Sequence, residues 1–143
     1  MLFRSDPTKL TPFAVRDALL TGDATVSGGM YMDVRGPTDE HPGETVIAPS
    51  GEATFYVSVR APSFVAPTDL EAIVDGQTVS VTPLAPMGTG TAKTYLNSVK
   101  VTFDPNKPRS WVVFHAKGDG DLAPLHPGRH PFAVSNPIFL KKS

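Results

Sequence analysis

His126 and His130 stand four positions apart in Leu125-His126-Pro127-Gly128-Arg129-His130. Such a pair can grip a metal when both imidazoles lie on one helix face, because imidazole nitrogen is a common ligand. Pro127-Gly128 breaks any helix between them and no third ligand is evident, so the residues themselves favour solvated loop histidines. Gly118-Asp119-Gly120-Asp121 resembles part of a calcium loop. Calcium requires about six to eight oxygens and a closing carboxylate at the twelfth position of such a loop. Counted from Asp119 that position is His130, so a tight acidic turn is the simpler reading. His115, in an otherwise apolar stretch, could shuttle protons, but a histidine held by a hydrogen bond in the core or on a sheet accounts for it. Ser27-Gly28-Gly29 could cradle a phosphate through backbone amides, yet no strand–loop–helix pattern follows, which leaves a bend between strands. Tyr31, Tyr56 and Tyr95, with Trp111, could form an aromatic platform for sugars. Trp111, in an apolar run, is expected to be the core tryptophan of a sandwich instead. No Ser/His/Asp set, activated nucleophile or close carboxylate pair follows from spacing.

Composition narrows the classes that could use these residues. The chain has 143 residues, room for one domain. Its net charge is −1, from 13 Lys+Arg and 14 Asp+Glu, and no basic patch suggests nucleic acid as a partner. There is no Cys, which removes thiol catalysis, zinc–thiolate sites, iron–sulfur clusters and disulfides. No apolar run approaches the roughly 18 residues of a membrane helix, so no membrane insertion is expected. The first residues carry no signal-peptide pattern, and the compartment stays open, with export or the periplasm as options for a longer parent. Valine and threonine are abundant, isoleucine is scarce, and 12 Gly with 15 Pro punctuate the chain. That is the composition of short strands joined by many turns.

The elements follow from periodicity. Thr11 can cap a helix with Pro12 in its first position, and Gly22 can end it. Phe13, Ala14, Ala18 and Leu19 recur at helical spacing, opposite Arg16 and Asp17. A lone helix of about ten residues is unstable in water, so it must pack on the sandwich or on a preceding domain. Beyond Gly22 the period becomes two. Strands are expected at Ala24–Ser27, Met30–Arg35, Glu44–Ala48, Ala53–Arg60, Leu70–Val74, Thr78–Thr82, Lys93–Phe103, Trp111–Ala116 and Phe132–Leu140. Met30, Met32 and Val34 share one face, and Tyr31, Asp33 and Arg35 the other. Ala53, Phe55, Val57 and Val59 oppose Thr54, Tyr56, Ser58 and Arg60, one face dry and one wet. Asp75-Gly76 marks a hairpin. Ala61–Pro67, Pro83–Ala92 and Lys117–Arg129 read as connections. Trp111–Ala116 is apolar on both faces, suggesting a central strand covered on each side, and Pro137 suggests that the last strand is bulged or at an edge. The expected fold is all-β: an antiparallel two-sheet sandwich of immunoglobulin-like or related Greek-key type, preceded by one short helix.

Two stretches carry a resemblance. Phe13–Gly29 resembles the segment just after the catalytic barrel in bacterial metallohydrolases of the polymerase-and-histidinol-phosphatase (PHP) superfamily, where a helix ending in a Gly leads into a strand ending in Gly-Pro. Pro131-Phe132-Ala133-Val134-Ser135-Asn136-Pro137-Ile138 is similar to the Thr-Asn-Pro-Ile ending of the same proteins. Ala61-Pro62-Ser63-Phe64-Val65, the Asp75-Gly76 hairpin and Trp111-Val112-Val113 resemble intervening features, with Phe64 in place of a Trp and Met30 in place of a Pro. In that family the metals are held by His/Asp motifs of an N-terminal barrel, including an H-x-H that this chain lacks. The resemblance therefore implies the C-terminal sandwich of a larger hydrolase, cut out with Met1 as an expression start. It carries no catalytic or metal-binding residue into this chain. Residues 1–22 would be linker and helix leading from a missing upstream domain, and residues 23–143 the sandwich. The expected role is non-catalytic: packing on the barrel of the same polypeptide, or supporting a homodimer, with divalent metals only in the missing domain. The alternative is a stand-alone module binding carbohydrate, through Tyr31, Tyr56 and Tyr95, or protein. An enzyme in its own right would need His126, His130 and Asp119 or Asp121.

Overall fold

The computed structural model describes residues 11–88, 91–124 and 126–143. The linker expected ahead of Thr11, two residues of the loop after Pro83 and Leu125 beside His126 lie outside them. Helix α1 spans Pro12–Thr21. The Thr11 hydroxyl accepts from the Ala14 N–H at 3.1 Å, and Pro12 needs no donor in the first turn. Gly22 closes the helix at φ 81°, a left-handed conformation that costs glycine little.

Ten strands follow among the described residues: β1 (Thr25–Gly28), β2 (Tyr31–Arg35), β3 (Thr45–Ile47), β4 (Glu52–Pro62), β5 (Ala66–Val74), β6 (Gln77–Pro83), β7 (Ala92–Thr102), β8 (Ser110–Asp119), β9 (Phe132–Ser135) and β10 (Ile138–Lys141). They form a β-sandwich. One sheet is β2–β4–β7, antiparallel throughout. The other has seven strands centred on β8. β5 lies along one side of β8 and carries β6 beyond it. Along the other side run β9 and β10 in tandem, flanked by β1 and β3. Among the strands just named, the short β3–β10 pairing is the parallel one.

The inner faces meet as period two requires. From the small sheet come Met32, Val34, Phe55, Val57, Val59, Val99 and Val101, and from the large sheet Val46, Leu70, Ala72, Val112, Phe114, Ile138 and Leu140, all buried. At the centre the rings of Phe55 and Phe114 lie 5.2 Å apart at 55°, a tilted aromatic contact that joins the two sheets.

Several expectations change. Prolines 62 and 67 do not force a connection from 61 to 67: β4 reaches Pro62 and β5 starts at Ala66. Pro62 is the last residue of its strand and Pro67 sits at a register shift against β8, positions where a missing N–H is tolerated. β8 extends to Asp119, so the following loop begins at Gly120 rather than Lys117. Trp111 is not the core tryptophan. Val112 and Phe114 are fully buried, so alternation sends Trp111 and Val113 to the outer face, where both are half-exposed. No element covers β8 on that side among the described residues.

The last strand is interrupted, and it is not an edge. Val134 pairs with His115 and Ile138 with Val112, so three residues on one strand oppose two on β8. The break strands the Phe114 N–H in the core. The buried Ser135 hydroxyl accepts it at 3.0 Å. Replacing Ser135 by Ala is expected to leave that donor unpaired and to cost about 1–3 kcal/mol. Urea unfolding checks this, and an unchanged midpoint would contradict the assignment.

Candidate functional site

His126 and His130 do reach one concavity, of about 580 Å³, shared with Ser27, Arg129 and Phe132. All three cationic or titratable loop residues are exposed. The neighbouring acid is engaged elsewhere: Asp121 Oδ1 accepts from the Ala123 N–H at 3.0 Å and the Gly128 N–H at 2.9 Å, closing the loop on itself. His130 Nδ1 lies 2.9 Å from the Gly120 carbonyl. A carbonyl can only accept, so Nδ1 carries the proton. Asp119 sits on β8 opposite Ala66. Among the described residues no three His, Asp or Glu side chains converge as a metal would require.

The Gly28-Gly29 doublet serves packing. A Cβ on Gly28 would meet the Phe132 ring at 2.7 Å, and one on Gly29, at φ 87°, would meet Leu122 Cδ2 at 2.7 Å. Phe132 and Leu122 thus occupy the sides of the two glycines where a Cβ would stand, and close packing accounts for the doublet. His115 stands on the outer face of the large sheet, its Nδ1 3.5 Å from Glu71 Oε2. Lys117 Nζ donates to Glu71 Oε1 at 2.6 Å, and this bond holds the Glu71 carboxyl below the usual range.

The three tyrosines separate. Tyr95 opposes Val59 on the inward side of its strand and is 3 % exposed, so it cannot join a sugar platform. Tyr31 opposes Arg60 and Tyr56 opposes Arg35, so both lie on the outer face of the small sheet, four positions apart along β4. Tyr56 is 56 % exposed. It borders a concavity of about 430 Å³ with Asp33, Arg35, Ser58, Leu96 and Ser98. These six residues form two adjacent cross-strand rows, Arg35–Tyr56–Ser98 and Asp33–Ser58–Leu96. Arg35 is fixed by Asp33 Oδ2 at 3.1 Å from Nε, and by Asp39 Oδ1 at 2.6 Å and His41 Nε2 at 3.2 Å from Nη1. Shared parity of Tyr31, Asp33 and Arg35 is a sequence signal for part of this group; Ser58, Leu96 and Ser98 join it through strand register.

Spacing also missed Asp23 and Asp33, ten positions apart in sequence. Burial raises both carboxyls above the usual range; Glu44 adds to the rise at Asp23, and Asp23 adds to the rise at Asp33. The cleft between their segments is about 10 Å³, too small for a substrate.

The largest chemical contrast on the molecule is between its two outer faces. That of the small sheet is polar and hydroxyl-rich. That of the large sheet carries Val26, Ile73, Val81, Trp111, Val113 and Phe139, with the Arg109 guanidinium 3.7 Å from the Phe139 ring centroid. No family model and no curated protein matches this chain.

The half-buried Asp23 gives a pH-dependent test. A carboxyl whose folded pKa is raised adds stability below its unfolded pKa and loses it as pH rises through the folded value. Asp23→Asn is therefore expected to stabilise the fold at pH 7, by about 0.5 kcal/mol or less. The gain should vanish below about pH 4, where both forms are neutral. Urea titrations at the two pH values check the sign.

Proposed function

We propose that this chain is the non-catalytic β-sandwich of a larger metal-dependent hydrolase of the PHP type, packed on the catalytic barrel of the same polypeptide. The observation that carries the reading is uncovered apolar surface in two places. The outer face of the seven-stranded sheet presents Trp111, Val113, Val26 and Ile73 at its surface. Helix α1 buries none of its residues, and Phe13 and Leu20 are 68 % and 77 % exposed. Contiguous exposed apolar surface marks interaction sites in folded proteins.

The helix is held at one end. Asn136 Nδ2 donates to the Gly22 carbonyl at 3.1 Å, and Asn136 N donates to the Ala24 carbonyl at 3.0 Å. Gly43 N donates to the Pro137 carbonyl at 2.9 Å, and a Cβ on Gly43, at φ 92°, would lie 1.9 Å from the Thr21 carbonyl oxygen. A short helix anchored only at its C-terminus, with its apolar side open, suits a connector that completes its packing on a neighbouring domain. The metals of the hydrolase would then belong to that domain, and the sandwich would brace it or support its dimer. Gly43→Ala is expected to unseat the junction, speeding hydrogen exchange at Ala24 and Asn136; protection equal to wild type would contradict the anchoring.

The direct test is association with the region encoded upstream. Phe13→Ser with Leu20→Ser should shift the melting temperature of this chain by no more than about 2 °C, since neither side chain is buried. Each side chain buried in a contact contributes roughly 1.5–3 kcal/mol, so the pair should weaken binding at least about tenfold. Trp111→Ser should weaken it as well. Unchanged affinity in both variants, or an upstream region without His/Asp metal motifs, would overturn the proposal.

A further inference from the structure

The apolar docking surfaces leave the outer face of the small sheet unused, and there we propose a binding site for a neutral saccharide, centred on Tyr56. The two rows Arg35–Tyr56–Ser98 and Asp33–Ser58–Leu96 cover a patch of about 7 by 10 Å at ordinary strand spacings. Their side chains border the 430 Å³ concavity. Tyr56 and Leu96, 56 % and 57 % exposed, supply apolar surface for the C–H face of a sugar ring. The Tyr56, Ser58 and Ser98 hydroxyls make no hydrogen bond to the described residues, so each is free to donate to and accept from a ligand hydroxyl.

The charge pattern selects the class. One carboxylate and one guanidinium line the patch, and they are paired with each other. Arg35 is further neutralised by Asp39 at 2.6 Å. Among the described residues that line the concavity, no cation is left unpaired for a phosphate or sulfate and no carboxylate for a basic peptide; Arg60, one row further along β4, borders a separate concavity. Backbone groups of β2, β4 and β7 lie in the plane of the sheet, toward ladder partners or toward the outer edges of β2 and β7, so a peptide strand laid over the concavity has nothing to pair with there. What remains is an apolar floor with a rim of hydroxyls, one fixed carboxylate and one fixed guanidinium. That set recognises a neutral polyol and is preorganised by the Arg35 network. The concavity is open, so millimolar affinity is expected for a short oligosaccharide, a Kd on the order of 1 mM.

The test is titration of the ¹⁵N-labelled chain with maltotetraose, cellotetraose and triacetylchitotriose, following amide shifts by NMR. At least one should give saturable shifts confined to residues 33–35, 56–58 and 96–98. Tyr56→Ala should weaken that binding about tenfold or more while the melting temperature stays near wild type, because the ring is exposed. Ser98→Ala, outside the Arg35 network, should weaken it less, which separates lost contacts from a disturbed sheet. Three outcomes overturn the site: no saturable shift with any of the three sugars, shifts elsewhere on the molecule, or equal binding by Tyr56→Ala. Saturation by glucose 6-phosphate alone would overturn the neutral-ligand assignment.

Discussion

The contact between Phe55 and Phe114 sets the terms for the rest of the molecule. Each ring is fully buried and each sits on the central strand of its sheet. Burial of a phenylalanine contributes roughly 1.5–3 kcal/mol, and a tilted aromatic pair adds about 0.5–1.5 kcal/mol beyond area. For both rings to meet, β4 and β8 must each point that parity inward. The parity of every neighbouring strand then follows, because a shift by one residue would turn its apolar set to water. Met32 and Val34 follow β4, and Leu70, Ala72 and Ile138 follow β8.

That inward commitment creates a polar problem at Phe114. Its N–H lies in the dry interior where β9 gives way to β10, and a buried unpaired donor would cost more than most contacts contribute. Ser135 solves this with a side chain in place of the ladder. The neighbouring groups released by the break are then turned to use: Asn136 donates to the Gly22 and Ala24 carbonyls, and the Pro137 carbonyl accepts the Gly43 N–H. One interruption thus satisfies the core and ties the helix to the sandwich.

Much of this was open to reading in the residues. The alternation of Ala53, Phe55, Val57 and Val59 against Thr54, Tyr56, Ser58 and Arg60 places Tyr56 on a wet face, and the structure agrees. The helix limits follow from Thr11, Pro12 and Gly22. Trp111 was harder. The run Trp111-Val112-Val113-Phe114 is apolar at every position, so period two carries no phase, and the phase comes from Phe114 meeting Phe55 across the sandwich. Tyr95 shares parity with Val99 and Val101, a signal that was available and that argues against its use on a surface. The six-residue patch on the small sheet could not be assembled from spacing, because Asp33, Ser58 and Leu96 become neighbours through the registers of β2 on β4 and β4 on β7.

The two outer faces show what the sandwich does with surface that the core does not need. On the small sheet, outward positions are mostly Asp, Arg, Ser, Thr, Tyr and Lys, with the exposed Leu96 among them, which keep that face largely hydrated over a dry interior. On the large sheet, outward positions at the centre are Trp and Val, with Glu71, His115 and Lys117 paired among themselves rather than left to water alone. A sheet that needed only to close one core would have no reason to be apolar on its second face. Glu71, His115 and Lys117 are already matched with one another, which lowers the cost of desolvating that part of the face. The two faces therefore differ physically: hydroxyls and charges dominate over β2, β4 and β7, and apolar side chains dominate at the centre of the face over β5, β8 and β10.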